Sequence, residues 1–135
     1  MKTMKRIFFA TVACFFLVTG GLVYLCFRPT TILLFRWLDR LGFDYSIFQN
    51  VQVRPPAFVI YNLPNVLFML FGYFVVFVIW DNNKINHLFY TILITVLSIV
   101  YEAATLDIED IIAIVITFIV YLFIYNRYLG IKHET

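Results

Sequence analysis

Four stretches of this chain run without a single Lys, Arg, Asp or Glu. Ile7 to Phe27 covers 21 residues, Pro55 to Trp80 covers 26, Ile85 to Tyr101 covers 17 and Ile111 to Asn126 covers 16. A helix crossing the hydrocarbon core of a bilayer needs about 20 mostly apolar residues. Within lipid, only a helix or a closed barrel satisfies its own backbone polar groups. Composition points the same way: the residues are 63% hydrophobic and only 13% charged, with a mean hydropathy of +0.91, whereas soluble domains carry about 25% charged residues. So few polar groups cannot cover a soluble surface. The expectation is an all-α polytopic membrane protein: one membrane domain over residues 1–135, with spans at about 7–27, 60–80, 85–104 and 108–127.

Lys2, Lys5 and Arg6 precede the first run, as they would in a signal peptide. That run is longer than a typical signal core and no A-x-A cleavage site follows it. Thr11-Val12-Ala13-Cys14 is only loosely lipobox-like, so a retained anchor is expected. Cys14 and Cys26 share this helix about 18 Å apart, too far for a disulfide. An even number of spans places both termini on one side. Lys2, Lys5, Arg6, Lys84, Arg127 and Lys132 share that side, while Arg28, Arg36, Arg40 and Arg54 lie on the other. The excess predicts cytoplasmic termini in the plasma (inner) membrane and an outward loop between spans three and four. The net charge of +2 is too small and scattered to suggest nucleic-acid binding.

Between the first two spans, Leu34, Trp37, Leu38 and Leu41 recur at helical spacing, with Arg36, Asp39 and Arg40 on the opposite face. This predicts a short amphipathic helix over about residues 30–42, stopped by Gly42 and lying in the membrane interface. Two readings remain open. The segment is a connector that packs on the other helices, or it grips a lipid headgroup through Arg36, Arg40 and Arg54. Val53-Arg54-Pro55-Pro56 is expected to be extended, since each proline biases its predecessor away from helix.

Glu102, Asp107, Glu109 and Asp110 cluster between the last two spans and hold four of the eight acids. Those spans are short, so a full crossing draws Glu102 and Asp110 to the membrane edge. Carboxylates there are costly unless paired, wet or functional. Asp107 and Asp110 also fit an N-cap and an approximate capping box. Glu102 does not, because it ends a helix, where the dipole disfavours an acid. Glu102, Asp107 and Asp110 are therefore the candidate ligand-binding residues. They would serve as a proton-holding acid and base, or as oxygen ligands for a divalent cation or a cationic head. No His or Cys stands beside them, so no transition-metal site and no cofactor is expected. His87 reads as an interfacial residue at the start of span three.

Glu102 at the end of one span, followed by Asp107-x-x-Asp110 opening the next, resembles the VanZ-like family of small bacterial membrane proteins. The run after Leu63-Pro64-Asn65 is similar to the span that precedes the family's motif, and the likeness covers about residues 60–126. Thr105 stands where the family has Gln, Ile114 takes the place of its Asn, and no Arg lies between Glu102 and Asp107. The resemblance implies a cell-envelope protein of the kind linked to teicoplanin resistance, with no biochemical activity attached.

A binding protein for a lipid or cell-wall component is thus the leading expectation. The alternative is a small oligomeric channel or membrane-disrupting effector. Its candidate polar stripe is Thr91, Thr95 and Ser98, which equally suits helix–helix adhesion. An accessory subunit of a larger partner is a third reading. No phosphate loop, nucleophile elbow or metal-ligand cluster is present, which sets soluble-enzyme readings aside; a membrane-embedded enzyme with Glu102, Asp107 and Asp110 as acid and base stays open, against the lack of a nucleophile or basic phosphate clamp beside them.

Overall fold

The computed structural model describes residues 2–30, 33–53 and 55–129. These residues form seven α-helices: α1 (Lys2–Phe27), α2 (Leu33–Arg40), α3 (Ser46–Gln49), α4 (Ala57–Tyr61), α5 (Leu63–Trp80), α6 (Lys84–Thr105) and α7 (Ile108–Ile124). A π-helical turn, Tyr125–Leu129, continues α7. Four helices, α1, α5, α6 and α7 with its extension, are long and apolar enough to cross a membrane. The protein is therefore an all-α polytopic protein suited to a lipid bilayer.

The helix ends follow local chemistry. Pro64 sits in the first turn of α5, where a missing N–H costs nothing. The same proline cannot donate to the Ile60 carbonyl, so α4 and α5 are separate helices that meet at Asn62. Pro56 is extended, with φ −54° and ψ 151°. Asn83 caps α6 by accepting the Asn86 amide at 3.0 Å. Between α6 and α7 the chain turns on Leu106, held left-handed at φ 59°. The Leu106 amide donates to the Ala103 carbonyl and the Asp107 amide to the Glu102 carbonyl, at 3.2 and 3.1 Å, the pattern that closes a helix C-terminus.

α5, α6 and α7 pack on one another, and α1 lies mainly along α5. Lys5 at the start of α1 pairs with Asp81 at the end of α5, at 3.5 Å. At the opposite end Arg28 Nη2 donates to the Tyr61 carbonyl at 3.1 Å. α1 and α5 are therefore antiparallel, and the end carrying Arg28 also carries Asn62 and the α6–α7 turn. Because lipid is as apolar as the helix faces, close packing rather than water exclusion holds such helices together. Gly20 permits that closeness: a Cβ there would lie 3.2 Å from the Leu67 Cβ. Gly21 faces open space. Met69, Tyr73, Phe74, Phe77, Ile114 and Tyr121 form the core, which Ala13 joins from α1.

α2 ends at Gly42, whose φ of 70° suits glycine. Phe35 is buried against the Tyr45 ring, 4.7 Å between centroids. Leu34, Trp37 and Leu41 stay exposed and Leu38 is half-buried, and among the described residues α2 shares no extended interface with the spanning helices. Most of its apolar stripe is therefore left uncovered by those residues.

Candidate functional site

The α6–α7 turn brings the three sequence-selected acids together. One carboxylate oxygen from each of Glu102, Asp107 and Asp110 lies within 4.8 Å of the others. At such separations, like charges repel by about 3 kcal/mol per pair at an effective dielectric of 20, and less where Asp107 meets solvent. The cluster persists because several groups oppose that repulsion, and they do not serve the three acids equally.

Asp107 is a helix cap. Its Oδ1 accepts the Asp110 amide at 3.2 Å, and the positive end of the α7 dipole favours its charge. The reciprocal half of a capping box is absent. The Asp107 amide donates instead to the Glu102 carbonyl, and the Asp110 carboxylate turns away from the cap. Asp110 is 4% exposed and accepts a hydrogen bond from Asn62 Nδ2 at 2.8 Å. Capping thus accounts for Asp107 but not for the side chain of Asp110.

Glu102 is half-buried and has the weakest support of the three. The Thr105 hydroxyl is 2.9 Å from the Glu102 carbonyl and 3.4 Å from its Oε2. That hydroxyl has one proton, and the shorter contact takes it. The Arg28 guanidinium stands at the same end of the bundle, but among the described residues it forms no ion pair with Glu102. Arg28 lies over the Tyr24 and Tyr61 rings, 5.3 and 4.8 Å from their centroids, and its buried Nε has no hydrogen-bond partner among the described residues.

Tyr61, Asn62, Thr105, Leu106, Asp107 and Glu109 line an open depression of about 480 Å³ beside these groups. Clustered carboxylate oxygens with an amide carbonyl nearby suit a hard divalent cation or a primary ammonium, which offers three N–H donors. Arg36 and Arg40 are exposed on α2 and are not brought to this cluster. Arg54 lies outside the described residues. Asn62, Arg28 and Tyr61 belong to the site although sequence reasoning did not select them. The usable signal was Pro64: as a first-turn residue it puts Asn62 at the start of α5, level with the start of α7.

His87, near the start of α6, is fully buried among Phe77, Tyr121 and Tyr125, and it stacks on Tyr125 with centroids 4.1 Å apart. The cause is its place on the inner face of α6, in line with Thr91 and Thr95, which are also buried. Thr95 donates to the Thr91 carbonyl at 2.8 Å, so at its 2.7 Å contact with Tyr73 the tyrosine hydroxyl is the donor. The Tyr121 hydroxyl donates to the Tyr73 carbonyl at 3.2 Å, which leaves it to accept from His87 Nε2 at 2.9 Å. The proton of neutral His87 therefore sits on Nε2, and Nδ1 is a bare lone pair with no partner among the described residues. The Thr91–Thr95 stripe joins α6 to its neighbours and does not face outward.

No protein-family model, curated protein or solved structure matches this chain.

Proposed function

We propose that this protein is a VanZ-like membrane protein of the bacterial envelope that binds a lipid or cell-wall component at Glu102, Asp107 and Asp110. The observation that carries the reading is the buried Asp110 carboxylate, held at 2.8 Å by Asn62 and joined by two further carboxylates within 4.8 Å. A capping role needs neither the burial nor the Asn62 bond. A half-buried acid at the C-terminal end of α6 is unfavourable for the helix itself, so a ligand supplies the missing positive charge. The basic residues favour cytoplasmic termini, with the cluster on the outer surface of the plasma membrane. Arg36 and Arg40 on α2 lie on that same side and serve as headgroup contacts, with Trp37 at headgroup depth.

Glu102→Gln tests the reading. Cells expressing the wild-type chain should tolerate teicoplanin better than cells lacking it. Glu102→Gln, at equal membrane abundance, should return them to the level of cells without the protein. Full protection by Glu102→Gln would leave helix capping as the whole role of the cluster.

A further inference from the structure

We infer that the ligand is a single phospholipid with a primary amine in its headgroup, seated with one acyl chain in a groove between α4–α5 and α7. This rests on the reading of the carboxylate cluster as a binding site, and it names the class of molecule bound there.

The groove is separate from the polar depression. Its volume is about 300 Å³, and its walls are Phe58, Val66 and Leu70 on one side and Ala113, Ile116 and Val120 on the other. Thr117 also borders it, but its hydroxyl is spent on the Ala113 carbonyl at 2.7 Å. The lining is therefore apolar throughout, and the exposed Phe58, Ile116 and Val120 leave it open to the bilayer.

Its position relative to the cluster sets its occupant. Asn62, Val66 and Leu70 follow one another at four-residue spacing along one face of α4–α5. Asp110, Ala113, Thr117 and Val120 share one face of α7 at three- and four-residue spacing. Both walls run directly from the Asn62–Asp110 hydrogen bond into the membrane. From Asp110 to Val120 the helix descends about 15 Å, which is half of a roughly 30 Å hydrocarbon core. The groove itself begins about one helical turn below the Asn62–Asp110 pair, at Val66 and Ala113, and reaches down to Val120, a place that suits the upper part of an acyl chain whose head lies at the cluster.

Charge complementarity then selects the head. Glu102, Asp107 and Asp110 call for a cation that donates hydrogen bonds, which a primary ammonium does and a quaternary ammonium cannot. Arg28 stands on the same rim, on the ring of Tyr61, which lines the depression. Its guanidinium has further N–H groups to offer a phosphate. One basic group beside three acids fits a headgroup carrying one phosphate and one amine.

The test uses the full chain in nanodiscs doped with phosphatidylethanolamine, phosphatidylcholine or phosphatidylglycerol, each with the same diazirine-bearing acyl chain. Cross-links are located by mass spectrometry. In the wild type, phosphatidylethanolamine should label residues 113–120 about tenfold more than either other lipid, as one charge-assisted contact permits. Glu102→Gln should reduce its yield to that of phosphatidylglycerol. Ile116→Trp, on the exposed wall, should suppress labelling there by all three. Equal yields in the wild type, a preference that survives Glu102→Gln, or strong labelling confined to other helices would each overturn the assignment. The underlying reading fails differently. If Glu102→Gln loses teicoplanin protection while the three lipids label equally, the site stands and the lipid is wrong. If it keeps protection while losing the lipid preference, the lipid stands and the envelope role is wrong.

Discussion

Replacing Asn62 by Leu removes the only hydrogen bond that the Asp110 carboxylate accepts among the described residues and leaves that group buried. Both residues are 4% exposed and their contact is 2.8 Å, so water cannot readily replace the lost donor. Hydrogen bonds to charged groups contribute about 1.5–3 kcal/mol. Interhelical bonds in lipid are weaker, roughly 0.6 kcal/mol on average and up to about 1.7, because the unfolded helices find other partners in the membrane. A buried carboxylate acceptor places this pair at the strong end, so Asn62→Leu should cost about 2 kcal/mol. That is roughly a thirtyfold change in the ratio of folded to unfolded protein. Asp110→Leu strands the Asn62 amide but also relieves repulsion with Glu102 and Asp107, so it should cost less than Asn62→Leu. The double variant should cost at least about 1 kcal/mol less than the sum, since neither polar group is then left alone. Titration of purified protein from dodecyl maltoside into sodium dodecyl sulfate, followed by circular dichroism, gives all four stabilities. Additivity within about 0.5 kcal/mol would refute the idea that Asn62 and Asp110 act as a pair.

Other outcomes follow from the packing and the turn. Leu106 is left-handed and 85% exposed, so Leu106→Gly should stabilise the protein by about 1 kcal/mol in the same titration; a comparable loss would contradict the turn geometry. Gly20→Leu should cost about 1–3 kcal/mol by forcing α1 off α5, while Gly21→Leu should stay within about 0.5 kcal/mol. Equal effects at the two glycines would place the α1–α5 contact elsewhere.

The spans and the acidic turn were legible in the sequence because each depends on local properties. Charge-free runs locate the helices, and the helix dipole singles out Glu102 from its position alone. The last two runs looked short because a helix continues past the charge-free stretch: α6 takes in Lys84 at one end and Glu102 at the other. Asn62, Arg28 and His87 were not legible, because their roles depend on which helices meet. Asn62 is an ordinary residue two positions before a proline until α5 packs on α7 and sets it against Asp110, 48 positions away. His87 lies near a helix end, and the face it occupies, which its position alone does not reveal, turns it into the core. Arg36 and Arg40 show the reverse. Their charge drew attention, but the carboxylates gained Arg28 from the end of α1 instead.

The placement of the cluster on the outer surface is the claim on which the envelope role depends, and thiol labelling tests it directly. Glu109 is exposed beside the three acids, and Lys84 is exposed at the opposite end of α6. With both native cysteines replaced by serine, a membrane-impermeant maleimide added to intact cells should label Glu109→Cys and spare Lys84→Cys, and both should label after permeabilisation. Labelling of Lys84→Cys in intact cells, with Glu109→Cys protected, would put the carboxylates in the cytoplasm and contradict the account.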